Sequence, residues 1–369
     1  MQNTKKLYEM GQSIWYDNIE RRLLLNGDLK EMIERGEIYG VTSNPAIFNN
    51  AIGNSKDYDD GLKPFAKEGK TAMEIYEALA VEDIQSAADQ FLSLYQKTNG
   101  GDGYVSLEVN PYLAHDTDET IKDAKRLWDW VDRPNLLVKI PATKEGLPAI
   151  TRSIADGINV NVTLIFSVDR YIEVMEAYIV GLEKRIAESL PVEGITSVAS
   201  FFVSRLDTKV DGWLQKIDGE GQALAENLLG KIAVANSKVA NEEFKKFFSS
   251  QRWQVLEAKG GQIQRLLWAS TGTKNPSYSD VKYVDELIGP NTVNTVPPKT
   301  LDAFNDHGTI TLSLETEVDK AKHSLASLEK LGLSLSKATQ ELEDEGVEAF
   351  SEAFTKLLDT VEVRRKEAL

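Results

Sequence analysis

Lys139 sits in the run Leu136-Leu137-Val138-Lys139-Ile140-Pro141. A lysine among apolar neighbours in a strand-length run is partly desolvated. That disfavours the ammonium and favours the neutral amine, the form that attacks a carbonyl. Schiff-base formation is the chemistry such a group can do. The alternative is a strand-end lysine that reaches solvent or pairs with Glu108. Three pairs of polar residues, each two apart, accompany it. They are Thr42 and Asn44 in VTSNP, Ser106 and Glu108 in YVSLEV, and Asn161 and Thr163 in NVTLIF. Alternate residues of a strand share a face, so each pair presents two polar groups to one side. A single pair could be a hydrogen-bonded layer inside a barrel. Several must converge on each other, on water or on a ligand, because unpaired buried polar groups are costly.

Carboxylates and cations complete the set. Asp17 closes the run SIWYD and is either an acid/base beside the lysine or an N-cap for a helix starting near Ile19. Glu108 is either a general acid working through a water or only the counter-ion of Lys139. Arg205 closes SFFVSR, and Ser270 and Lys274 lie in WASTGTKNPSY. Guanidinium, ammonium, hydroxyl and free backbone N–H groups are what a phosphate dianion needs. The other reading of Arg205 is a salt bridge to Asp207.

Other patterns carry less. No GxGxxG or GxxxxGK[ST] is present, so nothing supports dinucleotide or P-loop nucleotide binding. His115 with Asp116, Asp118 and Glu119 reads as a solvated loop and helix start rather than a metal cluster. His307 and His323 lack partners at ligand spacing. The Glu/Lys-rich run from Glu341 to Glu367 reads as a solvated helix face. With no cysteine, disulfides, thiolate nucleophiles and Cys-ligated metals are excluded. The net charge of −16 argues against partners such as nucleic acid or an anionic membrane. It does not exclude an anionic small molecule, because a few nearby cations outweigh a distant acidic surface. No segment is apolar enough to span a bilayer, and MQNTKKLYEMGQSIW lacks the apolar run of a signal peptide. A cytoplasmic enzyme is the expectation.

These residues need a frame that brings strand ends together. Apolar runs suggest eight strands, near Ser13–Asn18, Ile38–Ser43, Tyr104–Val109, Leu136–Pro141, Val160–Phe166, Ser197–Val203, Leu266–Ser270 and Thr292–Val296. Amphipathic segments alternate with them, as at Arg21–Arg35, Glu119–Val131, Ile172–Leu190 and Asp280–Ile288. Such alternation means βαβ units and a parallel sheet. The fold class expected is α/β, a (β/α)8 TIM-type barrel with added helices and its site at the C-terminal ends of the strands. The additions expected are a helix pair over Thr71–Tyr95, a long helical insertion over Gly219–Arg252, and two long helices from Thr316 onward. A single domain over residues 1–369, with 316–369 as a helical extension of the barrel, is the simplest division. A short C-terminal helical domain is the alternative.

The ordered segments VTSNPAIF, VSLEV, LLVKIPAT, INVNVTLIFS, SVASFFVSRLD and WASTGTKNPSYSDVKYVDELIGPNTVNTVP resemble those of the transaldolases, in particular the longer bacterial and plant-type branch. The resemblance implies transfer of a dihydroxyacetone unit between sugar phosphates in the pentose phosphate pathway. Donors would be fructose 6-phosphate or sedoheptulose 7-phosphate, and acceptors erythrose 4-phosphate or glyceraldehyde 3-phosphate. It implies Lys139 as the Schiff-base lysine, Asp17 as the acid/base at the C4 hydroxyl, and Glu108 with Thr163 as holders of a water. It implies Thr42, Asn44, Ser106, Asn161, Ser200 and Phe202 around the dihydroxyacetone unit, and Arg205 at the phosphate. Shorter relatives carry an arginine after the Ala-Ser of strand seven. Here the loop reads ASTGTKN, with Lys274 and two extra residues, so Ser270 and Lys274 are assigned to the phosphate without bidentate geometry. No metal or organic cofactor is implied, since the iminium itself is the electron sink.

Overall fold

The computed structural model describes residues 2–369. Eight parallel strands close into a barrel in chain order: β1 (Gln12–Tyr16), β2 (Gly40–Val41), β3 (Tyr104–Glu108), β4 (Leu136–Pro141), β5 (Val160–Ile165), β6 (Ser197–Phe202), β7 (Arg265–Ala269) and β8 (Thr292–Val296). Each strand is covered on both sides, by the barrel interior and by outer helices. This is why they read as continuous apolar runs, and β4, β5 and β6 are buried along their whole length. β2 is much shorter than the run Ile38–Ser43 suggests. Gly40 there lies flat on the Trp15 indole, where a Cβ would come 2.7 Å from the ring.

The N-terminal end of the barrel is plugged by a polar cluster. Asp102 accepts from Ser13 at 2.6 Å and from the Trp15 indole at 2.9 Å, and Arg265 lies 3.3 Å away. Arg265 also donates to the Thr292 carbonyl at 2.8 Å, tying β7 to β8. With every member paired, this end is structural, and the opposite end is left for chemistry.

The helices differ from expectation in instructive places. Thr71–Tyr95 forms one helix, Ala72–Lys97, and not a pair. The Thr71 hydroxyl and the Glu74 carboxylate cap it reciprocally. Arg21–Arg35 is split into Arg21–Leu25 and Asp28–Glu34, because Gly27 stands at φ +89°. Asp280–Ile288 holds only the single turn Lys282–Asp285. The 219–252 insertion is a series, with helices Gln222–Leu228, Ile232–Phe247 and the start of Gln251–Glu257. Beyond the barrel run the helices Val318–Lys330 and Leu335–Glu367. The second is solvated along its charged face, with Asp344, Glu348, Glu352 and Lys356 exposed, but its other face is not. Its residues Phe354, Leu357 and Val361 are buried, and it packs on the Pro45–Asn54 and Ala72–Lys97 helices. Among the described residues no helix is long and apolar enough to cross a membrane.

Candidate active site

Lys139 lies near the end of β4. Strand register sets it beside Glu108 of β3 on one side and Asn161 of β5 on the other. Its side chain is buried, and Nζ donates to the Ser43 carbonyl at 3.0 Å. The Glu108 carboxylate is 3.8 Å from Nζ, near enough for attraction and too far for a hydrogen bond. Burial pushes the Glu108 carboxyl up to about 7; attraction to Lys139 works against this rise and repulsion from Asp17 adds to it. Glu108 Oε2 and Thr163 Oγ1 are buried and have no hydrogen-bond partner among the described residues. Glu108 Oε2 beside the amine, and Thr163 Oγ1 two residues beyond Asn161 on β5, are polar atoms left for a small polar molecule.

Alongside the lysine runs a chain of hydrogen bonds. Ser200 donates to the Asn161 carbonyl oxygen at 2.6 Å, and the Asn161 amide donates to Ser106 at 3.0 Å. Three of the predicted residues, from β6, β5 and β3, thus hold one another in place, with Asn161 the register partner of Lys139. Ser43 donates to the Ser106 carbonyl at 2.7 Å and so fixes the loop whose carbonyl receives the lysine.

Asp17 follows β1 directly. It caps no helix: the next one starts at Arg21, preceded by Glu20. Instead its carboxylate accepts from the Thr42 hydroxyl at 2.6 Å, and Thr42 in turn lies 2.6 Å from the Thr295 hydroxyl of β8. Burial raises the Asp17 carboxyl above its ordinary value, while the Thr42 bond and the charges of Lys139 and Lys274 hold it back. A raised carboxylate facing an amine is suited to taking a proton. Asn44 has a second job. Its side-chain oxygen caps the helix Pro45–Asn54 by accepting from the Ile47 N–H at 3.0 Å, leaving its NH2 group for a ligand.

On the β6–β7 side, Arg205 stands in the first turn of the helix Ser204–Leu214, whose N-terminus has no side-chain cap. The guanidinium lies over the Phe202 ring, 5.4 Å from its centroid. It makes no ion pair with Asp207. That carboxylate accepts from the Ala233 N–H at 2.7 Å and the Tyr283 hydroxyl at 2.8 Å. Ser270, at φ +55°, places its hydroxyl 3.1 Å from that of Ser204. An unpaired guanidinium and two hydroxyls at a helix start are groups that suit an anion. Lys274 is exposed on the loop after β7, near enough to Asp17 to affect its proton affinity.

Comparison with known proteins gives the family. A family model described as transaldolase/fructose-6-phosphate aldolase matches residues 14–361. The chain belongs to that family. It is 47% identical to a transaldolase of Trichodesmium erythraeum over 368 residues, covering 98% of this chain and 97% of the relative. It is 46% identical to transaldolase 2 of Nostoc sp. PCC 7120, with the same coverage, and 48% identical to a transaldolase of Thermobifida fusca over 97% of this chain and 96% of that one. The family is enzymatic and the named relatives are transferases, so this member of the transaldolase family is an enzyme.

Two contacts of the site escaped the sequence reading. The Ser43 carbonyl is backbone and leaves no trace in residue type. Thr295 stands alone between Asn294 and Val296, so a search for polar pairs two apart passes over it. The His115 group has a local explanation: Asp116 caps the helix Thr117–Val131, and His115 lies 3.1 Å from Glu145.

Proposed function

We infer that the chain is a transaldolase working through a Schiff base on Lys139. It moves a dihydroxyacetone unit from a ketose phosphate to an aldose phosphate in the pentose phosphate pathway. The observation that carries this reading is a buried lysine whose amine lies 3.8 Å from a carboxyl held near 7, one oxygen of which is unpartnered. The relatives' names support transfer over simple cleavage.

The steps follow from the positions. The Lys139 amine attacks the ketose carbonyl carbon and forms a carbinolamine. Glu108, which still carries a proton near neutral pH, gives it through a water held with Thr163, and the hydroxyl leaves as water. The resulting iminium draws electrons from the C3–C4 bond. Asp17 takes the C4 hydroxyl proton, that bond breaks, and the aldose departs. The electron pair remains on Lys139 as an enamine. An acceptor aldehyde then forms the new C–C bond and its oxygen takes the proton from Asp17. Hydrolysis of the new iminium frees the amine. The Ser106–Asn161–Ser200 chain orients the hydroxyls of the three-carbon unit, with Thr42, Asn44 and Phe202 around it. Arg205, Ser270 and Lys274 hold the phosphate of donor and acceptor in turn.

Borohydride reduction in the presence of fructose 6-phosphate tests the reading. Peptide mapping should find the reduced adduct on Lys139, and Lys139→Ala should abolish it. An adduct on Lys144, which lies in the turn before the next helix, would refute the assignment.

A further inference from the structure

The Leu335–Glu367 helix follows all eight strands, yet it crosses the chemical end of the barrel. Near its start, Glu343 meets Arg170 at 3.3 Å, and Glu341 and Glu345 each meet Lys209 at 2.7 Å. Toward its end, Thr360 donates to Asn49 at 2.7 Å and Arg364 pairs with Asp59. Gly346, Phe350 and Phe354 stand between these anchors and share one face with Leu342, each four apart. Gly346 rests against β5, where a Cβ would come 3.1 Å from Leu164. Phe354 packs edge-on against Tyr76 and Tyr112, with centroids 5.5 and 5.4 Å apart. Phe350 lies between them and is only partly buried. The centroid of its ring is 5.9 Å from the Lys139 ammonium nitrogen.

None of the steps above uses this ring, and neighbours on both sides along the helix fix its place. We propose that Phe350 is a specificity-determining residue, an apolar roof that keeps solvent from the enamine carbon. In that role it favours transfer over release of free dihydroxyacetone. The inference rests on the Schiff-base reading. Both outcomes end with hydrolysis of an iminium by the water at Glu108 and Thr163, and they diverge one step earlier. If the enamine carbon takes a proton from solvent, the C–H bond commits the three-carbon unit to release. Water then adds to the iminium carbon, the C–N bond breaks, and the ketone leaves with the oxygen of that water. If the carbon meets an aldehyde first, a C–C bond forms and transfer follows. A roof without polar atoms slows only the first branch. Truncating the ring to a methyl opens space larger than a water needs.

The test uses the full chain with fructose 6-phosphate. Free dihydroxyacetone is measured without acceptor, and sedoheptulose 7-phosphate is measured with erythrose 4-phosphate present. The release-to-transfer ratio should rise about tenfold in Phe350→Ala, equivalent to one decade of relative barrier, and less in Phe350→Leu. Borohydride trapping on Lys139 should persist in both variants. Phe350→Leu keeps most of the apolar volume and reads the same ratio should the alanine variant fail to fold. Trapping with an unchanged ratio would overturn the roof alone. No adduct in the unaltered enzyme would overturn the Schiff-base reading and the roof with it.

Discussion

Replacing Glu108 with glutamine should change how stability depends on pH. Burial pushes this carboxyl from 4.5 up to about 7 in the folded chain. In the unfolded chain it titrates at its ordinary value. The folded state therefore binds this proton more tightly than the unfolded state does. The stability it contributes is fully present below about pH 4.5 and is lost as pH rises through about 7. Every tenfold difference in proton affinity between the two states is worth about 1.36 kcal/mol. Integrating between about pH 5 and about pH 8 gives a loss on the order of 2–3 kcal/mol from this one side chain. Solvent screens the effect little, because the side chain is only 6% exposed. Glutamine has no proton to lose, and the remaining carboxylates act nearly alike in both proteins. Urea unfolding of the two at both pH values should show the variant gaining on the order of 2–3 kcal/mol on the parent across the interval. A parent-minus-variant difference that stays constant with pH would refute the reasoning. The same proton matters in catalysis, so turnover should fall on the alkaline side as Glu108 ionises, and Glu108→Gln should lose that limb of the profile.

Asp17→Ala should lower turnover on the order of 10²–10⁴-fold while still trapping fructose 6-phosphate with borohydride, because cleavage needs this base and condensation does not; near-normal turnover would leave Asp17 without its role. Arg205→Ala should reduce kcat/KM for phosphorylated donors by at least about tenfold, a charge-assisted bond contributing about 1.5–3 kcal/mol. Unphosphorylated fructose should be indifferent, with Lys274→Ala a weaker copy; equal loss on both donors would make the arginine structural. Gly40→Ala should destabilise the barrel by about 1–3 kcal/mol in thermal unfolding, because the new methyl must displace a Trp15 ring that is fully buried.

The strands were legible because a parallel barrel buries both faces of each one, and a run such as LLVKIP has few other uses. The site was legible for a related reason. Inside such a strand a polar residue stands out, and Lys139, Asn161 and Thr163 are interruptions in apolar text. Asp17 was ambiguous, because a carboxylate after a strand is equally a cap, and only the Thr42 bond distinguishes the two roles. Boundaries were less legible where one residue decides them. Gly27 breaks a pattern that amphipathicity alone carries through, and the Thr71–Glu74 pair begins a helix that runs unbroken past an expected turn. The buried stripe of the Leu335–Glu367 helix is hidden for a different reason. Its acidic residues outnumber its apolar stripe, so composition points to solvent. What it covers depends on contacts more than 170 positions apart, such as Arg170 with Glu343, which no local pattern encodes.

The roof helix adds no strand to the sheet. Its ties to the barrel are side-chain pairs and apolar contacts with surrounding helices and with Leu164. The groups proposed to make and break bonds belong to the eight strands and their loops, whose positions the sheet fixes. The enzyme is in this sense two inheritable parts joined by a seam. Substitutions along the seam can tilt or reshape the cover without moving Lys139, Glu108 or Asp17. A lineage, or an engineer, could then retune which fate the bound three-carbon unit meets while leaving the reacting groups untouched.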